Sequence, residues 1–346
     1  MYRPDRSYAW NYSRGPVLPR RPAKLPSGPG GRLFDLHLNS SLGVAAGPLL
    51  NAKWVAAYAR LGFDILTYKT VRTSARPAYP LPNIVFVENQ PQAAVARPAG
   101  RASRDWTLAV SLGMPSMEPE VWRKDVRRAK EGLAPGQVLI VSVVGTPVPD
   151  GDADSLAHDY ARCAAWAAEA GADVVEVHLA CPNVSVHHPQ MIYEDVKMSA
   201  HIVERVRAHV GRPILVKLGA FRSPRVLHDT ATKLAPWVSG FVLVNGIQRR
   251  VVDAEGNPAF EGSGRELAGV VGADTFPVCS RQVVELLAWR KAGEWNRAIL
   301  AVGGITSVDR ARATLQEGAD AALVATAALA DPLFAIRFRG ALQAAA

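Results

Sequence analysis

Cysteine is scarce in this chain. Three occur in 346 residues (Cys163, Cys181 and Cys279), an odd number with no CxxC spacing. That argues against a disulfide framework, a zinc ribbon and a cysteine-ligated iron–sulfur cluster, and makes a reducing cytoplasm the expected setting. Long apolar runs are missing too. No stretch reaches the ~18 uninterrupted apolar residues of a membrane helix. The start, MYRPDRSYAWNYSRGPVLPRRP, has arginines with no apolar segment behind them, so it does not read as a secretory signal. There is no Walker sequence, and GSGREL (262–267) is not the GxGxxG of a dinucleotide site.

What is present is ordinary globular material: 49% hydrophobic, 21% charged, mean hydropathy +0.03. The net charge of +9 is spread over short clusters at Arg20-Arg21, Arg123-Lys124, Arg127-Arg128 and Arg249-Arg250. With no nucleic-acid motif among them, a small anionic ligand is favoured over a nucleic acid, and no membrane partner is expected.

From about residue 41 a rhythm sets in. Apolar runs at 43–47, 64–68, 138–144, 173–179, 213–218, 240–244, 298–302 and 321–325 suit strands buried on both faces. Helical patterns lie between them at 52–61, 119–131, 153–170, 194–210, 224–235, 280–292, 307–317 and 328–341. Eight β–α units predict an α/β fold, a (β/α)₈ TIM barrel over 41–346, preceded by an N-terminal arm over 1–40. Three connections after strand C-termini, 70–117, 180–193 and 245–278, are far longer than ordinary βα loops. They predict a lid over the C-terminal face, where barrels place their sites.

Four features there could carry chemistry. AVGGITS (301–307) and DAALVATAAL (320–329) put Gly303-Gly304 and Thr326-Ala327 between a strand and a helix, the arrangement that holds a phosphate in barrels. A plain tight turn is the alternative. Lys69 closes the second strand and Lys217 sits inside the fifth, where an unsatisfied charge would be costly. Both a lysine at a flavin edge and a Schiff-base nucleophile fit. EVHLACPNVSVHHPQ (176–190) brings Cys181, Pro182 and Asn183 to the end of the fourth strand, where a thiol could act as acid or base. Cys163 and Cys279 read as packing. His178, Cys181, His187 and His188 raise zinc, but zinc-hydrolase barrels usually need an HxH on a first strand that here reads VAAG, so no metal is expected.

The ordered motifs VAAGP (44–48), TYKTV (67–71), SLGMP (111–115), EVHLACPN (176–183), ILVKL (214–218), LVNG (243–246), VGGI (302–305) and VATAAL (324–329) resemble the dihydroorotate dehydrogenase family over roughly residues 40–340. The resemblance implies an FMN-dependent enzyme oxidising dihydroorotate to orotate in pyrimidine biosynthesis, of the branch with a catalytic cysteine. Ala45, Ala46 and Gly47 would pack the flavin, and Lys217 would contact its N1/O2 edge. Asn245 would join them, with Gly272, Gly303, Gly304, Thr326 and Ala327 holding the phosphate. Cys181 would move the proton, with Lys69 between flavin and substrate. Leu112, Gly113, Met114, Asn183, Asn245 and Gly246 would line the substrate side. The resemblance also leaves a homodimer open.

Three positions depart from it. Val110 and His178 stand where relatives usually carry asparagines, and Gly246 replaces a hydroxyl residue. Each lost amide should cost roughly 1–3 kcal/mol for a ligand that needs it. The flavin half thus reads as intact and the substrate half as altered. His178 either reshapes recognition, serves as a second acid or base, or fills space. A relative acting on another cyclic or conjugated carbonyl compound is the runner-up. A Schiff-base aldolase and a non-catalytic flavin-binding protein are the readings of another class.

Overall fold

A computed structural model describes residues 2–17, 25–98, 105–148, 151–180 and 191–343. Eight strands close into an all-parallel barrel: β1 Leu42–Val44, β2 Ile65–Val71, β3 Val138–Val143, β4 Val174–His178, β5 Ile214–Lys217, β6 Gly240–Leu243, β7 Ala298–Val302 and β8 Ala321–Val324. They pair in chain order, and β8 returns to β1 through Val324↔Val44. Helices follow the strands: α1 Ala52–Arg60, α2 Pro119–Glu131, α3 Ala153–Glu169, α4 Val196–His209, α5 Pro224–Leu234, α6 Phe276–Lys291, α7 Val308–Gln316, α8 Thr326–Ala330 and α9 Phe334–Gln343. The eight-fold alternation predicted from the apolar runs is therefore present.

Both faces of these strands are buried, which is why their sequences show no polar alternation. On β4, Val175 and Val177 belong to the layer shared with the helices, while Val174 points into the barrel with Ile65, Ile140, Leu215, Val242, Leu300 and Leu323. A hairpin, Gly31–Leu33 with Leu36–Leu38, adds Leu33 and Leu38 to that inner cluster. Higher up the barrel the inner positions change character. Thr67, Ser142 and Glu176 are buried and polar, and Lys69, His178 and Lys217 follow at the strand ends. Side chains two apart share a face of a strand, so β2 and β4 each run from an apolar residue to a polar one along their inner edge.

The long segments after β2 and β6 are more than loops. They supply the strands Ile84–Asn89, Ala94–Ala96, Thr107–Val110, Ile247–Val252 and Leu267–Gly272, which close into a five-stranded sheet. Its small core holds Val87, Ala94, Ala109, Val251, Phe260, Ala268 and Val270. Period-2 alternation turns Leu108, Val110 and Val271 the other way, onto the barrel mouth. The side chain of Arg265, buried to 2% exposure, pins this lid. It donates to Ser111 Oγ (3.1 Å), Glu261 O (2.8 Å), Pro82 O (2.8 Å) and Ser111 O (3.3 Å), and its guanidinium stacks between Tyr79 and Phe260.

Candidate active site

The lid and the barrel mouth enclose one continuous cleft. From the barrel come Ala45, Ala46, Gly47, Lys69, His178, Lys217, Asn245 and Thr326. From the lid come Val110, Ser111, Leu112, Gly113 and Met114. The sequence-derived candidates on six strand ends and one loop thus meet in one place. Gly246, Gly272, Gly303, Gly304 and Ala327 do not line it. Cys181 and Asn183, with His187 and His188, lie outside the described residues.

The floor is the end of β1. Ala45 and Ala46 are buried, whereas Gly47 is exposed and a Cβ there would meet nothing within 4 Å. A flat ring could lie along this backbone without side-chain obstruction. The backbone N–H of Lys69 donates to Leu49 O (2.8 Å), tying the end of β2 to the loop that carries the floor. Asn245 donates through Nδ2 to Ala180 O (3.1 Å) and through its backbone N–H to Leu218 O (2.9 Å), locking together the ends of β4, β5 and β6.

Three cations, Lys69, Arg72 and Lys217, surround His178 from buried positions. Parallel register sets His178 directly beside Lys217. Burial, then the charges of Lys217, Lys69 and Arg72, hold the imidazole well below its usual pKa, so it is neutral. Its Nδ1 is buried without a hydrogen-bond partner, and its backbone carbonyl accepts from Tyr160 OH (2.9 Å). A neutral imidazole can give or take one hydrogen bond, but it is a poor proton donor at neutral pH. Arg72 itself donates to Met114 O (3.1 Å), Gly145 O (3.0 Å) and Thr146 Oγ1 (2.9 Å). It thereby holds the turn in which Gly113 and Met114 both adopt positive φ (77° and 53°).

The glycine turns form a separate edge. Gly304 has φ +68°, and a Cβ there would sit 2.3 Å from Phe276 N; at Gly272 (φ +101°) it would sit 2.1 Å from Trp106 O. Both positions therefore require glycine. Arg310 joins the two turns, donating to Gly304 O (2.8 Å), Thr306 Oγ1 (3.2 Å) and Ala273 O (3.4 Å) while stacking on Phe276. Register places β7 beside β8, so the Gly303-Gly304 turn neighbours Thr326. The close approaches at Gly272 and Gly304 are to the protein's own backbone, while the Gly303-Gly304 turn, ahead of α7 and beside Thr326, has the strand-to-helix arrangement that can face an anion. Lys217 and the open floor fit the ring of a flavin nucleotide.

Sequence reasoning passed over several residues here. Glu176 was readable as an acid in a strand buried on both faces, two residues from His178. Ser111 and Thr70 line the cleft with hydroxyls. Tyr2 also lines it, its hydroxyl buried and unpartnered. Nothing in the local sequence marks Tyr2, because its place depends on Asn11 of the helix Tyr8–Arg14, which accepts from Arg3 N and donates to the carbonyls of Arg3, Arg6 and Ser7.

Fold and site together define a parallel barrel with its ligand cleft at the C-terminal mouth, walled by buried cations and roofed by a β-lid. The family model for dihydroorotate dehydrogenase matches residues 31–343, and the chain belongs to that family. Its members are flavin-dependent oxidoreductases acting on CH–CH donors. Among curated relatives, a dihydroorotate dehydrogenase of Dictyostelium discoideum is 29% identical over 98% of this chain and 96% of its own. The catalytic subunit of a dihydroorotate dehydrogenase B (NAD(+)) of Desulforudis audaxviator is 28% identical over 87% and 86%. A dihydroorotate dehydrogenase (quinone) of Nocardioides is 27% identical over 84% and 80%. No helix among the described residues is long and apolar enough to cross a membrane.

Proposed function

We propose that this protein binds FMN at the barrel mouth and oxidises a CH–CH bond beside a ring carbonyl, with dihydroorotate as the reference substrate. The observation that carries this is the meeting of Lys69, Lys217 and His178 with the open Ala45–Gly47 floor in one cleft. When bound, FMN supplies the two-electron acceptor for the reaction. Ala45, Ala46 and Gly47 would bear its ring, Lys217 its N1/O2 edge with Asn245 nearby, and Gly272, Gly303, Gly304, Thr326 and Ala327 its phosphate. Leu112, Gly113, Met114 and Asn183 would position the substrate under the lid, with Lys69 and Asn245 between the two ligands. Cys181 would take the proton from the carbon next to the carbonyl. Leu108, Val110 and Leu112 would give the cleft an apolar wall.

Other readings fit less well. A Schiff-base lysine works as a neutral, desolvated amine, whereas Lys217 has the Glu176 carboxylate 4.0 Å away. With its imidazole held below the usual pKa by burial and by Lys217, Lys69 and Arg72, His178 suits recognition or proton acceptance better than proton donation. Burial raises the Cys279 thiol to about 12 and the Cys163 thiol higher still, which leaves both inert and suits a reducing cytoplasm.

One observation favours a substrate other than dihydroorotate. Val110 and His178 both face the cleft where relatives usually present amides. Anaerobic addition of a donor panel to the FMN-loaded protein separates the two. Bleaching by dihydroorotate supports the first reading, and bleaching only by another cyclic carbonyl donor supports the second. A protein that takes up no FMN and stays unreduced by every donor contradicts both.

A further inference from the structure

Glu176 is an acid in an unusual place. It is 0% exposed on the inner face of β4, two residues before His178, and neither of its carboxylate oxygens accepts a hydrogen bond. Its ion-pair partner is Lys217, with Nζ 4.0 Å from Oε1. Opposite it in register is Ser142, whose Oγ accepts from Thr70 Oγ1 (3.1 Å), and the nearby inner hydroxyl of Thr67 is unpartnered. An acid buried with so little support is costly, and the chemistry set out above leaves it idle. The charges of Lys217, Lys69 and Arg72 all act on the neighbouring His178. Among the described residues, Glu176 is the acid in ion-pair contact with that cluster.

We propose that Glu176 is a positioning residue that fixes Lys217 and cancels part of its charge, and so sets how readily a flavin at the barrel mouth accepts electrons. The inference rests on the FMN reading. A flavin that has taken up two electrons gathers negative charge at its ring edge, and a bare cation beside that edge stabilises the reduced form. A carboxylate next to the cation works against it. In a buried site such a charge acts over several ångströms with little screening. Glu176 therefore holds the potential down, and, fully buried and absent from the cleft lining, it touches neither ligand.

Spectroelectrochemical titration of the FMN-loaded protein under nitrogen tests this. Glu176→Gln should raise the reduced-to-oxidised ratio at fixed potential on the order of tenfold, about 30 mV upward for a two-electron couple. In a Lys217→Met background the same substitution should shift the potential far less. An unchanged potential in E176Q, or an equal shift with and without Lys217, overturns the proposal. Should E176Q fail to fold, Glu176→Asp must shift the potential in the same direction by less, and no shift there is equally fatal. A parent protein that binds no FMN overturns the FMN reading and this inference with it, whereas a loaded parent whose E176Q variant keeps its potential overturns this inference alone.

Discussion

His178 links stability to recognition. Its pKa is depressed from 6.5 by burial first and by Lys217, Lys69 and Arg72 next. In the unfolded chain the imidazole binds a proton near that value, and in the fold it refuses it. The contribution is therefore fully present at higher pH and lost as pH falls from about 6.5 toward the depressed folded value. In thermal melts between about pH 7 and pH 5, His178→Asn should flatten the fall in Tm relative to the parent. A slope equal to the parent's would mean that His178 is not held neutral. The same position tests recognition. Restoring both amides with Val110→Asn and His178→Asn should raise kcat/KM for dihydroorotate roughly tenfold or more, each amide hydrogen bond contributing ~1–3 kcal/mol. No gain would show that these two residues do not govern substrate choice.

At the scale of elements, Arg265 decides whether the lid keeps its shape. Arg265→Met removes four donated hydrogen bonds and two ring contacts while leaving the buried carbonyl of Ser111 without this donor. The expected cost is ~2–4 kcal/mol in urea unfolding, with KM rising more than kcat falls because the Ser111–Met114 wall loosens. A variant of parental stability and KM would remove Arg265 from this role. The GSGREL stretch that contains it reads from sequence only as a failed nucleotide motif. Barrel strands were legible for a physical reason: burial on both faces leaves continuous apolar runs such as VLIVSV on β3. The lid strands were not. They are short, lie in proline-rich segments, and bury one side in their own small core and the other in the cleft, so neither a run nor a clean alternation survives. Likewise, the expected single helix at 328–341 is two, α8 and α9, separated at Asp331-Pro332. Proline lacks the N–H that a continuous helix requires there.

Over the whole molecule, a buried cluster far from the mouth closes the chain on itself. Arg339 of α9 donates to Asp64 Oδ2 (2.6 Å), Gly62 O (3.1 Å) and Pro26 O (3.3 Å), and Ser40 Oγ donates to the same carboxylate (2.6 Å). Residues from both ends of the chain thus meet at the start of β2. Arg339→Met strands the Asp64 charge and should cost ~3–5 kcal/mol by denaturant unfolding, with FMN affinity of the folded fraction unchanged. Parental stability would count against the pair as a fastening.

The site's chemistry was legible in outline, since Lys69, Lys217 and the glycine turns sit at predicted strand ends. Glu176 and Tyr2 needed three-dimensional neighbours to stand out. The FMN proposal requires one site that spans the open floor at Gly47, the cation Lys217 and the glycine turn at Gly304. Fluorescence titration of flavin-free protein with FMN is the decisive measurement. Saturable quenching is predicted in the parent, weakened at least tenfold both in Lys217→Met, where a buried charge contact is lost, and in Gly304→Ala, where a Cβ would collide with Phe276 N. Absence of quenching in the parent, or equal affinity in all three proteins, would contradict it.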